Sequence, residues 1–198
     1  MKYSIKSVKK ELEKNPNKPI IYFWGHTPNP KKITTACLSQ WYDCTFKAEI
    51  LRSQEKVVFH TAEQFMMASK ALLFDDMETY GKIMNESNPS AYKKLGRLVK
   101  NFDPKRWDEV KFDIVVEGNK AKFSQNEELK QFLLSTNDAI LVEASPYDRV
   151  WGIGIDKDTA IKGGIDQWKG ENLLGFALME VRNQILFDDY IQETIKLI

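Results

Sequence analysis

The segment Leu141–Gly154, LVEASPYDRVWGIG, is an apolar run of strand character that ends in a loop carrying a carboxylate, Asp148, an aromatic plate, Trp151, and two glycines. This combination restricts the fold sharply. Trp151 gains from burial, whereas Asp148 gains from water or from hydrogen-bond donors, and a pocket satisfies both. The loop therefore reads as a site rather than as a simple turn.

Size and charge narrow the possibilities further. A chain of 198 residues is long enough for one well-buried domain, or a domain with a small appendage, without covalent staples. Lys and Arg total 29 against 28 for Asp and Glu, so the overall field supplies little general attraction for nucleic acid or an anionic membrane, and any phosphate binding has to be local. Cys37 and Cys44 form no CxxC or Cys/His grouping, and the histidines are His26 and His60, so no metal site is expected. The lysine-rich start has no apolar signal-type core, and no stretch reaches about 18 uninterrupted apolar residues. These features predict a soluble cytoplasmic protein with reduced thiols and no membrane partner.

Periodicity places the elements. Residues 1–19 form a polar N-terminal arm, read either as an exposed helix or as a partly ordered segment. Ile20–Trp24 has strand character, and Phe46, Ala48 and Ile50, then Val57 and Phe59, alternate with polar residues, which predicts a small antiparallel sheet. Thr61-Ala62-Glu63-Gln64 is a capping box that starts a helix at Ala62, continued by Phe65, Met66, Ser69, Leu72 and Leu73. Asn88-Pro89 and Asp103-Pro104 announce two more helix starts, the second opening a long helix with Gly118 as a candidate interruption. A shorter helix carrying Leu129, Phe132 and Leu133 follows, capped by Gln125 or Asn126, then a strand over Ala139–Ala144. After the site loop, Leu174, Ala177, Leu178, Val181 and Ile185 mark a core helix. Tyr190, Ile191, Ile195 and Leu197 mark an amphipathic C-terminal helical extension over 187–198, able to dock as a terminal helix or to meet a partner. The whole reads as a single α+β domain over 20–186, mostly helical with a small antiparallel sheet.

Candidate chemistry begins with Glu63. A first-turn glutamate is stabilised by the helix dipole by roughly 0.3–1 kcal/mol, and is usually nothing more than that. Lys70, seven residues on, projects from nearly the same face about 10 Å along the axis. Their helix is rich in apolar residues, and a partly buried Glu/Lys face is less common than a solvated one. Trp107 and Trp151 are ordinary core residues unless a site claims them. Arg97 can grip a phosphate or carboxylate, or equally pair with a surface acid. The segment Trp168–Gly175 matches neither a P-loop nor a dinucleotide fingerprint, so no nucleotide cofactor is expected.

Several blocks occur together in one order: Leu38-Ser39 with Trp41-Tyr42; Thr61-Ala62-Glu63 through Lys70; Pro89 through Leu95-Gly96-Arg97; Trp107; and Ala121-Lys122-Phe123-Ser124-Gln125-Asn126. They are followed by Leu141–Pro146 with Asp148 and Trp151-Gly152-Ile153-Gly154, then Trp168, Gly170, Asn172–Gly175 and Leu178–Arg182. In these the chain resembles the NADAR family of YbiA-like N-glycosidases over roughly Ile20–Leu186.

The resemblance implies a YbiA-like fold and hydrolysis of a glycosidic C–N bond. It implies either a phosphorylated ribosyl small molecule, such as an aminopyrimidine ribosylamine phosphate of riboflavin synthesis, or ADP-ribosylated nucleic acid modified on guanine. By motif position Glu63 and Asp148 look like the two acids, Trp107 like the aromatic partner, and Lys70 like a lysine that attacks an opened sugar. Trp151, Gly152, Arg97, Lys122, Asn126 and Ser39 look like substrate-binding positions. The chain departs from the family pattern where Gln40-Trp41 replace Asn-Phe, Gln64 replaces His and Ser69 replaces Gln. Those departures motivate an alternative, a non-catalytic module that binds ADP-ribose or ADP-ribosylated nucleic acid. Cleavage of a C1′–N bond builds positive charge on the sugar and negative charge on the base, and a pair of carboxylates, one ionised and one protonated, meets both needs. Oligomeric state is left open by the sequence.

Overall fold

The computed structural model describes residues 2–51 and 55–196; Leu197 of the C-terminal apolar pattern lies outside them. Two compact units divide the chain, one built from Met1–Ser39 with Glu128–Ile198 and the other from Gln40–Glu127.

In the split unit, α1 (Ile5–Lys14) begins at a capping box in which Ser4 and Ser7 exchange side-chain and backbone hydrogen bonds. The arm is thus a helix, held by the fully buried Val8 and by Asn183, whose amide donates to the Tyr3 hydroxyl. Strand β1 (Ile20–Phe23) pairs in parallel with β4 (Ile140–Glu143), from Ile20 opposite Ile140 to Phe23 opposite Glu143. The apolar run at 20–24 therefore does not join the antiparallel sheet. Its partner arrives after a long connection, which parallel pairing requires, and β4 is buried from Ile140 to Val142, as a covered parallel strand should be.

Strand β4 lies against a 24-residue helix, α8 (Leu173–Lys196). A Cβ at Gly175 would collide with the Leu141 carbonyl oxygen, so glycine there permits the close approach. The described C-terminal residues are helical, continuous with α8 as far as Lys196, and leave Phe187, Tyr190 and Ile195 exposed. Helices α6 (Glu127–Ser135) and α7 (Lys157–Gly163) complete the unit, the latter unmarked by any long periodic pattern. Among the described residues no helix is long and apolar enough to cross a membrane.

In the continuous unit, β2 (Phe46–Ala48) and β3 (Val57–Phe59) form the expected antiparallel pair. Gln125 clasps β2 from the side, accepting from Lys47 N and donating to Lys47 O. Helices α2 (Ala62–Leu73), α3 (Met77–Met84), α4 (Pro89–Arg97) and α5 (Pro104–Gln125) follow. Asn88 and Asp103 cap α4 and α5 in front of their first-turn prolines. Helix α5 passes through Gly118 without a break. A Cβ there would sit 2.5 Å from the Phe65 ring, so this glycine serves α2–α5 packing rather than flexibility. Phe65 in turn meets Phe59 edge-to-face at 5.1 Å and Phe46 at 6.4 Å, which ties the helices to the small sheet.

Candidate active site

Glu63 stands in the first turn of α2. Thr61 is extended and its hydroxyl accepts from Gln64 N at 3.0 Å. The reciprocal arm of the capping box falls one residue earlier than the sequence implies, because Gln64 Oε1 accepts from His60 N at 2.9 Å. Glu63 N donates to the Gln40 carbonyl at 2.9 Å, so little of this turn is left to solvent, and the Glu63 residue is 6% exposed. A glutamate this buried is uncommon unless something uses its charge.

Lys70 occupies the last turn of the same helix. Its ammonium donates to the Gly96 carbonyl at 2.8 Å and lies 4.0 Å from the centre of the Phe102 ring and 5.5 Å from that of Trp107. Burial lowers its pKa from the ordinary lysine value. Helix α4 approaches α2 closely because residue 96 is glycine; a Cβ would run into Met67 Sδ. Phe102 escaped the sequence reading, since a phenylalanine between two helices carries no periodic signal.

The other sequence-assigned residues of this unit are placed less uniformly. Trp107 is buried in α5. Arg97, at the end of α4, is exposed. Lys122 is fully buried, its ammonium 5.0 Å from the Phe123 ring centre and 5.6 Å from that of Tyr42, so solvent does not reach it. The Asn126 side-chain amide donates to the carbonyls of Lys122 and Thr45, which commits its two donors to closing the end of α5.

In the split unit, Asp148 organises the loop after β4. Its Oδ1 accepts from Val150 N at 3.0 Å and Trp151 N at 2.8 Å, and its carbonyl accepts from Gly154 N. Trp151 is half-buried, and the carbonyls of Val150 and Trp151 accept from Leu173 N and Leu174 N, so this loop caps the start of α8. Gly152 is packed so closely that a Cβ would stand 2.9 Å from the Glu143 oxygen and 3.0 Å from that of Asp148. Ser39 ends a short 3-10 turn over Thr35–Leu38.

Asn172 locks this arrangement from within. It is fully buried at φ 55°, donates to Leu141 O at 3.0 Å and accepts from Glu143 N at 2.9 Å. Asparagine tolerates the left-handed backbone while its amide extends the β4 hydrogen bonding. The sequence displays this residue in its N-L-L-G segment but gives it no role.

The NADAR domain family model matches residues 22–186. N-glycosidase R617 of Acanthamoeba polyphaga mimivirus is 46% identical over 163 residues, which cover 82% of this chain and 95% of that protein. N-glycosidase YbiA of Escherichia coli is 33% identical over 128 residues, 65% of this chain and 71% of the relative, and the NMR structure of E. coli YbiA superposes with a TM-score of 0.67 at 28% identity, covering 87% and 88% of the two chains. Riboflavin biosynthesis protein PYRR, chloroplastic, of Arabidopsis thaliana is 32% identical over 129 residues, 63% of this chain and 19% of that larger protein.

The fold and these matches define an α+β hydrolase acting on N-glycosyl compounds. The chain belongs to the NADAR family.

Proposed function

We propose that the chain hydrolyses the C1′–N bond of a ribosyl N-glycoside bearing phosphate or ADP-ribose, either an aminopyrimidine ribosylamine phosphate or an ADP-ribosylated guanine. The observation that carries this reading is the presence on one helix of a buried carboxylate, Glu63, and a desolvated amine, Lys70. In solution-facing positions neither group would be worth remarking.

In the proposed reaction a carboxylic acid gives its proton to the departing nitrogen as the C1′–N bond breaks, and an ionised carboxylate stabilises the positive charge left on the sugar. By motif position, Glu63 and Asp148 are the candidates for these two carboxyl groups. Water then bonds to C1′ and returns a proton, so the products are the free base and the hydroxylated sugar. Trp107 provides an apolar wall that keeps the local dielectric low. Where the sugar opens to its aldehyde, the Lys70 amine, once deprotonated, attacks C1′, expels water and forms a Schiff base that a second water hydrolyses. By motif position, Trp151, Gly152, Ser39 and Asn126 are further candidate substrate contacts. Arg97 is preferred over Lys122 as the phosphate ligand, because it is the exposed cation of the two.

The binding-module alternative rests on Gln64 and Ser69. Both are buried, and the Gln64 carboxamide joins His60 N to the Ile83 carbonyl, a role in holding α2 against α3. The departure at 64 thus has a packing reason and does not argue for lost catalysis.

The test is mass spectrometry of products from an aminopyrimidine ribosylamine phosphate and, separately, an ADP-ribosylated guanine oligonucleotide. Ribose phosphate released from the first marks a metabolite-clearing enzyme, and ADP-ribose released from the second a nucleic-acid demodifying one. Glu63→Gln should slow turnover by about 10²–10⁴-fold. Full turnover in both Glu63→Gln and Asp148→Asn would sink the two-carboxylate assignment.

A further inference from the structure

The first turn of α2 is held by a pair of buried carboxamides that no part of the proposed chemistry employs. Asn119, on α5, is fully buried. Its amide nitrogen donates to Gln40 Oε1 at 2.6 Å and to the Val115 carbonyl at 2.8 Å, one turn back along its own helix. Gln40 is itself buried, and its backbone carbonyl is the acceptor for Glu63 N at 2.9 Å. A helix-start amide ordinarily looks to solvent or to a capping side chain. Here the amide of the candidate acid is captured by a residue whose side chain is gripped from α5.

From this geometry we infer that Gln40 and Asn119 are a positioning pair for Glu63, fixing the height of its carboxylate through the residue 40 carbonyl. The inference rests on the reading of Glu63 as a reacting group. Three features support it. The grip is anchored twice, since both Asn119 donors are used and the Val115 bond fixes the amide against its own helix. It lies beside the Gly118–Phe65 contact, where α2 and α5 already meet without room for a Cβ, so the pair works from a rigid base. It is also energetically exposed: among the described residues Asn119 Oδ1 is buried with no hydrogen-bond partner, a state that costs about 1–3 kcal/mol.

The pair depends on side-chain length. Gln40→Asn withdraws the side-chain oxygen by one methylene and breaks the grip, while the residue 40 carbonyl stays in the backbone. Exchanging the two residues, Gln40→Asn with Asn119→Gln, restores the combined reach. If the pair positions Glu63, Gln40→Asn and Asn119→Ala each lower kcat by about 10–100-fold with KM within threefold, because small misplacements of a reacting group act on the chemical step. The exchanged pair recovers at least tenfold of that loss, a coupling that independent sites do not show. Hydrogen exchange at the Glu63 amide, read by NMR on the same proteins, should accelerate about tenfold in the single variants and slow again in the exchanged pair.

Glu63→Gln is assayed alongside on the substrate that the wild-type chain cleaves. Should Glu63→Gln keep full turnover, the assignment of Glu63 falls and the inference falls with it. Should Glu63→Gln be inactive while folded Gln40→Asn retains kcat and an unchanged Glu63 amide, the inference alone is wrong. If Asn119→Ala unfolds, Gln40→Asn and the exchanged pair decide the matter by themselves.

Discussion

The Lys70 ammonium sits 4.0 Å from the centre of the Phe102 ring, on the side of α2 where Gly96 offers its carbonyl. The ring face and the carbonyl both favour the ammonium, but burial strips its hydration and outweighs them, so part of its preference for the charged form is lost.

Because burial lowers the Lys70 pKa, its neutral fraction begins to rise at a lower pH than for a solvated lysine. Phe102→Ala admits water, raises the pKa again and moves any alkaline limb of the rate profile to higher pH. At neutral pH kcat falls several-fold. Lys70→Met removes the limb altogether and reduces turnover by at least tenfold, with unfolding free energy changed by no more than about 1–2 kcal/mol, the size of one hydrogen bond. A pH–rate series on the three proteins checks this, and an unmoved limb in Phe102→Ala would count against Lys70.

Asp148 allows its charge to be separated from its capping role. Asp148→Asn keeps an oxygen for Val150 N and Trp151 N, so the loop and the melting temperature should be preserved while turnover drops by about 10²-fold or more. Asp148→Ala loses the cap as well, which costs about 1–2 kcal/mol of stability. Thermal denaturation paired with kinetics separates the two effects; equal melting of Asn and Ala variants would show that the cap is dispensable.

Asn172→Ala removes two buried hydrogen bonds at a positive φ. The expected loss is about 2–4 kcal/mol from two orphaned backbone groups and backbone strain. Asn172→Gly relieves the strain but not the orphaned groups, and should fall between the alanine variant and the parent by roughly 1 kcal/mol. Chemical denaturation with a constant m-value tests the ordering.

Acid sensitivity should trace in part to Asp76. Burial pushes its carboxyl upward, but bonds from Lys100 N and from Thr79 outweigh it and hold the pKa below the ordinary aspartate value. The ionised form is therefore favoured in the folded chain. Its contribution is complete above the unfolded pKa and is lost as pH falls through that value toward the folded one. Asp76→Asn should flatten the stability–pH curve below about pH 4. Urea titrations at several acidic pH values would show it.

Much of the helical framework was legible because it depends on local rules. Thr61, Asn88 and Asp103 cap where their spacing says, and Leu174 through Ile185 bury the face that their periodicity marks. What escaped depends on partners distant in the chain. Ile20–Phe23 reads as a strand but cannot announce a parallel partner at residue 140. Gly118 reads as a break until Phe65 is seen to occupy the missing Cβ. At the candidate site, Glu63 and Lys70 were visible as a spaced pair on one helix, whereas Phe102 and Gln40 acquire meaning only through contacts made after folding.

The pairing of β1 with β4 also sets an order of events during synthesis. Residues 40–127, which form a compact unit of their own, emerge before residue 140, while Ile20–Phe23 waits for a partner made more than half a chain later. Loop-closure entropy and the rate of translation together make that strand the last to be satisfied. Until β4 arrives, its backbone and apolar side chains are an open edge. Variants that slow closure of the split unit should therefore betray themselves first as poor yield at high expression temperature, with the protein that does mature retaining normal turnover.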